Sequence, residues 1–361
     1  MVAIVQSGRF ASAFTPPTWA QAWYNAYQTG LSGGGQAHVA FFGDSVTAGF
    51  YGNTPYYSAS WVAQVGAALD TATGYTSGTG MVNALEKIDL TDTRFGGSGF
   101  ASGGDTGGYY GYRLQSNTGG ATVTFTATCT SFRVSFLTGP SGDGFGTFPI
   151  SVDGGTVTNV TGTAGTYGQG YATIDAGSLG SHTLTVGVPS GGKYTFLSGV
   201  EAIRSPLNGV KTTRMARSGS STVRFMNNAV GFSSRGFMDA LEPDLAVMVF
   251  GLNDALDAIG TSAFSTNLTT AVGLWAGSKL LVVPPPPSTA LIAGATWTAY
   301  ADVIRERAAT LGTGLLDFTD QWVSYAASSA YYHDTVHPNA TGAGAMSTAV
   351  QEVIMTEALG L

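Results

Sequence analysis

Cysteine is all but missing from this chain: Cys129 stands alone among 361 residues. That excludes an internal disulfide framework and any metal site built from several thiolates, and Cys129 itself reads as a buried strand residue. Charge is scarce too, at 10% of residues against roughly a quarter in an average soluble domain. The 15 Lys and Arg are outnumbered by 22 Asp and Glu, for a net charge of -7, and they form no basic stripe that could neutralise a phosphate backbone. Nucleic acid is therefore excluded as a partner. No apolar run approaches the roughly 18 residues that span a bilayer, so no membrane partner is expected either. Met1–Gln6 is too short for the apolar core of a signal peptide. The expectation is a chain that leaves the cell without a Sec signal, extracellular or on a virion, with the cytoplasm as the alternative. Hydrophobic residues at 43% are enough to fill a large core, which rules out disorder as the main state.

What the chain has in excess is glycine, 52 residues, about twice the usual share. Its apolar residues fall into a strand-then-helix rhythm. His38–Phe42 is a short apolar run ending in Gly43-Asp44-Ser45, and a helix follows from Trp61 to Leu69. Leu245–Phe250 runs into Gly251-Leu252-Asn253-Asp254 and a helix near Phe264 to Trp275. Lys279–Val283 stops at Pro284–Pro287, where ladder donors are lost. A helix over Trp297–Leu311 leads to a strand at Gly314–Phe318, and a last helix covers about Ala343–Leu359. Val210–Met215 supplies a fifth strand. Uninterrupted apolar strands alternating with helices predict an α/β fold, a three-layer parallel sheet covered on both faces. Residues 113–204 break the rhythm with period-two stretches such as Thr122–Thr126, Phe132–Phe136 and His182–Val186 between glycine-rich turns. A helical crossover needs only a dozen residues, so the roughly 170 positions between Ser45 and Gly219 predict an inserted all-β sandwich. The expected division is 1–112 with 205–361 as one discontinuous domain and 113–204 as the insert.

Three motifs sit where an open parallel sheet places its site, in loops after strand C-termini. Gly43-Asp44-Ser45 presents a hydroxyl beside a helix N-terminus. Gly251-Leu252-Asn253-Asp254 follows another strand directly. In Asp334-Thr335-Val336-His337-Pro338 a carboxylate three residues before an imidazole can fix its tautomer and stabilise the imidazolium that forms. Taken singly the first is an ordinary turn and the second a helix cap. Together they offer a nucleophile, a base and an orienting carboxylate.

In this order the motifs resemble the SGNH, or GDSL-type, hydrolases over about residues 1–75 and 205–361. The resemblance implies a flavodoxin-like fold and a serine esterase. It makes Ser45 the nucleophile, His337 the base and Asp334 its orienter, with Ser45, Gly219 and Asn253 around the oxyanion. Two departures stand out: Val46 replaces the usual leucine, and the run Ala216–Ser221 lacks the asparagine that often precedes the glycine. No cofactor or metal is implied. The inserted module weakly resembles carbohydrate-binding sandwiches, and Tyr109, Tyr110, Tyr112, Tyr167, Tyr171 and Tyr194 could stack on sugars or fill its core. The expected substrate is a short acyl group, such as acetyl, on a polysaccharide. A lipase or thioesterase of the same fold and a non-catalytic glycan-binding virion protein are the alternatives.

Two decoys are set aside. Gly30-Leu31-Ser32-Gly33-Gly34 matches a nucleophile elbow, but a helix precedes it where a strand is needed. His333-Asp334-Thr335-Val336-His337 nearly copies a zinc motif, but Pro338 pushes His337 out of helical geometry and no third ligand is evident. His333 is then a loop residue, and His38 and His182 take structural roles. The sequence leaves oligomeric state open.

Overall fold

Five apolar strands lie side by side in parallel: Ala37–Gly43, Val210–Ala216, Leu245–Val249, Ser278–Val283 and Gly314–Asp317. The computed structural model describes residues 14–50, 56–76, 80–89, 91–103, 107–229, 231 and 233–361, so Met1–Gln6 lies outside the described residues. Numbered by their order along the chain, the strands stand 2-1-3-4-5 across the sheet, the flavodoxin-like order. Every residue of Ala37–Gly43 and Leu245–Val249 is buried, which is why the sequence shows continuous apolar runs there instead of alternation. Adjacent side chains of the first strand serve opposite layers. Phe41 meets Trp61 edge-on at 5.4 Å, while Phe42 stacks on Trp275 at 4.8 Å. Around the sheet, helix Trp61–Thr73 packs on Ala340–Gln351 and helix Thr261–Val272 on Gly294–Leu311.

Among the described residues the antiparallel region forms one nine-stranded sheet that curls on its own core. Its first strand, Val82–Asn83, already pairs with Thr195–Ile203, well before residue 113. Phe95–Ser98 and Ala101–Gly103 also belong to it. The long strands Thr122–Thr138 and Gly168–Val186 pair along their length, with a register shift between Cys129 and Ser131. A register shift bends a strand and lets the sheet curl. Cys129 is fully buried in this second core beside Phe125, Phe132 and Leu184.

This region docks on the edge of the parallel sheet. Along strand Val210–Ala216, Gly80 N–H donates to Thr212 O (3.1 Å), Lys211 pairs with Glu201 (2.8 Å) and Arg214 with Glu86 (2.6 Å). Both carboxylates are buried, so each pair satisfies a charge that could not stand alone there.

Candidate functional site

The switch point of a 2-1-3-4-5 sheet lies between its first and third strands, and ligand sites form outside the strand C-termini there. Ser45 follows the first strand and Asn253 the third. The turn that leads to Ser45 is tight. A Cβ on Gly43 would come within 2.6 Å of Val249 O and closer still to Thr47 Oγ1, so only glycine lets the strand end this close to its neighbour. Asp44 then caps the short helix Ser45–Ala48, its Oδ1 accepting from Val46 N–H at 2.9 Å. Trp61 Nε1 donates to Val46 O at 2.8 Å and ties this helix to the layer behind it. Ser45 heads the helix and is 7% exposed.

From the far end of the chain, the loop before helix Ala340–Gln351 brings a chain of hydrogen bonds to that serine. Asp334 Oδ1 accepts from the backbone N–H groups of Val336 (2.9 Å) and His337 (2.8 Å), and Oδ2 meets His337 Nδ1 at 2.8 Å. His337 Nε2 lies 2.8 Å from Ser45 Oγ. Burial alone would raise the Asp334 carboxyl, but the His337 N–H, its imidazole and the Val336 N–H outweigh it and hold the group below the ordinary carboxylate range. An ionised Asp334 accepts a hydrogen bond from Nδ1–H, which keeps the proton on Nδ1 and leaves Nε2 to accept from the serine hydroxyl. The loop itself is held by Ser288 N–H on Thr335 O (2.8 Å) and Tyr325 Oη on Asp334 O (3.1 Å).

Two further loops close a ring around the serine. Arg217 N–H donates to Gly43 O (3.1 Å), and Gly219 follows in a turn with φ of 70°, a conformation that favours glycine. Thr222 then gives its N–H (3.0 Å) and its hydroxyl (2.5 Å) to Asp254 Oδ1. Asn253 Nδ2 in turn donates to Asp44 Oδ2 (3.0 Å), which leaves its second N–H for another acceptor. Residues 43–45, 217–222, 251–254 and 334–337 are thus bonded to one another. Asp44 and Asp254 are fully buried members of this ring. Burial pushes Asp44 up to about 7, opposed by the bonds from Val46 and Asn253 and assisted by the Asp254 charge. Burial likewise raises Asp254, against the bonds from Thr222.

Sequence reasoning named Ser45, Gly219, Asn253, Asp334 and His337 but gave Asp44, Thr222 and Asp254 no part. Their signal was present in the motifs, as an N-cap aspartate and an Asx-type acceptor, but their partners are distant in sequence. His333 is exposed in the loop and its N–H bonds His337 O at 2.8 Å. Among the described residues no group of three His, Cys, Asp or Glu is placed to hold a metal. His38 sits in the sheet against Thr213 Oγ1 (2.8 Å), and His182 pairs with Asp153 (2.7 Å) on the antiparallel sheet. Ser32 caps helix Gln21–Leu31, its hydroxyl on Thr29 O (2.9 Å). Of the six tyrosines offered for sugar stacking or core packing, two take the core place. Tyr109 and Tyr110 are 0% and 1% exposed and belong to the core, whereas Tyr167 and Tyr171 are exposed at 43% and 39%.

Where the Ser45–Ala48 helix meets the Arg217–Ser218 loop, a recess of about 10 Å³ is lined by Ala48, Phe50, Asn83, Leu85, Glu86, Ala216, Arg217 and Ser218. The Phe50 ring lies 6.0 Å from that of His337.

A flavodoxin-like sheet with a serine, an imidazole and a carboxylate in line at its C-terminal edge is the arrangement that serine hydrolysis requires. Residues 184–345 match the model of the GDSL-like lipase/acylhydrolase family, a stretch that holds Gly219, Asn253, Asp334 and His337, with Ser45 upstream. Over that stretch the chain resembles an acylhydrolase of this family, and its fold is that of the SGNH hydrolases. A solved structure titled as a peptidoglycan O-acetylesterase in action is similar over 95% of this chain and 99% of its own, at TM-score 0.71 and 16% identity. A lipase/acylhydrolase from Enterococcus faecalis is similar over 41% of this chain and 76% of its own (TM-score 0.36, 18% identity). An active-site mutant of a family two carbohydrate esterase from Clostridium thermocellum is similar over 74% and 98% (TM-score 0.30, 14% identity). No curated protein sequence matches the chain.

Proposed function

We propose that this acylhydrolase removes short acyl groups, acetyl foremost, from a polysaccharide, with Ser45, His337 and Asp334 as its catalytic triad. The observation that carries the triad is the unbroken Asp334–His337–Ser45 chain at 2.8 Å and 2.8 Å. His337 Nε2 takes the hydroxyl proton as Ser45 Oγ attacks the ester carbonyl. The resulting oxyanion is met by the N–H groups of Ser45 and Gly219 and by the Asn253 amide, each worth about 3 kcal/mol in comparable sites. Collapse expels the sugar alkoxide, protonated by His337, and a water then repeats the sequence to free the acid. Asp334 holds the ring in place throughout.

The acyl preference is supported by the recess of about 10 Å³ bordered by Ala48, on the helix that Ser45 heads, and by Phe50, whose ring lies 6.0 Å from that of His337; it has room for roughly one water-sized group such as a methyl. The polymer preference rests on the likeness to the peptidoglycan O-acetylesterase structure, which extends over both sheets. The test compares wild type and Ser45→Ala on acetylated peptidoglycan, acetylated xylan and nitrophenyl esters of two to eight carbons. Expected are acetate release from a polymer, a steep loss of rate beyond short chains, and loss of all activity and of fluorophosphonate labelling in Ser45→Ala. Retained activity in Ser45→Ala overturns the triad. A preference for long-chain esters overturns the acetyl reading in favour of a lipase.

A further inference from the structure

Two arginines flank Gly219, and both reach the same tyrosine of the antiparallel region. Arg217 places its guanidinium carbon over the Tyr112 ring, 3.2 Å from the ring centre. Arg224 stands 5.6 Å from that centre and donates from Nη1 to the Tyr112 hydroxyl at 2.6 Å. A guanidinium stacked on an aromatic face is held by the ring's negative quadrupole as well as by contact. The face that Arg217 covers cannot also receive a sugar, so this half-buried tyrosine is engaged from within the protein.

Tyr112 is mounted on a stiff element. Its N–H donates to Tyr109 O at 3.1 Å, and the strand Arg113–Ser116 begins at the next residue, paired with Ala101–Gly103 and with Thr195–Ile203. Its ring packs against both hydrophobic cores, that of the parallel sheet and that of the antiparallel one. The loop it meets has fewer supports. Gly219 is exposed, with φ of 70° and nothing within 4 Å of where a Cβ would stand. Arg217 N–H on Gly43 O holds the loop at its start, Thr222 N–H on Asp254 holds its end, and Ser220 N–H on Arg217 O (3.1 Å) closes the turn between them. The two arginines on Tyr112 add a support from outside the parallel sheet.

We infer that Tyr112 is a positioning residue that clamps the Arg217–Arg224 segment, so that the inserted sheet helps to hold the Gly219 amide at the oxyanion. The inference rests on the oxyanion role proposed above for Gly219. An amide aimed at developing charge is effective because it is already in place when the charge forms. A loosened loop loses that placement, which the transition state needs more than the bound ester does. The inserted region then takes part in the chemistry of every ester, including one too small to touch it.

The test compares Tyr112→Leu and Tyr112→Phe with wild type by amide hydrogen exchange over residues 217–221 and by kinetics on nitrophenyl acetate and an acetylated polymer. Leucine removes both contacts, whereas phenylalanine keeps the ring under Arg217 and loses only the Arg224 bond. Expected for Tyr112→Leu are faster exchange in the loop and a kcat on nitrophenyl acetate at least about fivefold below wild type. Inhibition by a boronate that forms a tetrahedral adduct should weaken by the factor lost from kcat/KM, and Tyr112→Phe should fall between the other two. A smaller loss of kcat in Tyr112→Leu, or loop exchange equal to wild type, overturns the inference. A tyrosine that stacked on sugar would raise KM for the polymer alone, and one that only braced the two cores would lower the melting temperature alone; either result overturns it. If Tyr112→Leu does not fold, Tyr112→Phe decides: faster loop exchange with kcat lowered at least about twofold supports the clamp, and anything less overturns it. Activity surviving in Ser45→Ala would sink the esterase roles, and that failure is separate from a failure of the clamp, because hydrogen exchange reads the loop without any turnover.

Discussion

Replacing Asp44 by asparagine removes a charge that the fold holds at a cost. Burial raises this carboxyl from 3.8 to about 7. Between those two pH values the folded chain keeps a proton that the unfolded chain has released, so stability falls as pH rises through the interval. Above about pH 7 the whole difference is lost: about 3 pH units at 1.36 kcal/mol each, or about 4 kcal/mol. Asparagine cannot ionise, so Asp44→Asn should gain on wild type by up to about 4 kcal/mol between pH 4 and pH 8. A pH-independent offset for the altered hydrogen bonds adds to this. The same change should harm catalysis. One oxygen can still accept from Val46 N–H, but the new amide turns a donor toward Asn253 Nδ2, which now donates to Asp44 Oδ2. Asn253 must turn away, and with the oxyanion role proposed for it this costs about 10²–10³ in kcat. Urea unfolding at unit steps from pH 4 to 8, with nitrophenyl acetate turnover alongside, reads both effects. A stability difference that is flat across that range would refute the burial argument, whatever happens to the rate.

Gly43→Ala should cut activity far more than its size suggests, because the new methyl meets Val249 O and Thr47 Oγ1 and must displace the nucleophile turn; loss of turnover with near-native circular dichroism is the expected pair of readings. Arg214→Ala breaks a pair whose side chains are 9% and 4% exposed and leaves Glu86 buried without its main counter-charge. Such breakage costs about 3–5 kcal/mol. Burial already raises the Glu86 carboxyl against the pull of Arg214, so removing Arg214 raises it further, and chemical unfolding should show a larger loss at pH 8 than at pH 5.

The parallel sheet was legible because burial on both faces leaves unbroken apolar runs, and four of its five strands end in loops or breaks that the sequence marks plainly. The residues of the proposed triad were legible because short local motifs carry them. What was hidden is instructive in each case. Val82–Asn83, Phe95–Ser98 and Ala101–Gly103 are two to four residues long, the last two rich in glycine and serine, so they show no alternation and the antiparallel region reads as starting too late. Tyr110 belongs to a glycine-flanked tyrosine cluster that looks the same whether it faces sugar or core. The pairing of Thr222 with Asp254 and of Asp44 with Asn253 depends on loops converging from separate strands, which no window of sequence contains.

The insertion also bears on how the molecule is assembled. The first and second strands of the parallel sheet, Ala37–Gly43 and Val210–Ala216, are neighbours in space yet about 170 positions apart. Joining them through a flexible chain costs about 2 kcal/mol more loop entropy than a minimal crossover of a dozen residues. The antiparallel sheet shortens that search. Val82 pairs with Val200 and Glu201 pairs with Lys211, so once its long strands have zipped, the two ends of the insertion stand close to the strands they must deliver. The curled sheet acts as a brace for chain closure, holding the strand that leads to Ser45 beside the one that leads to Gly219.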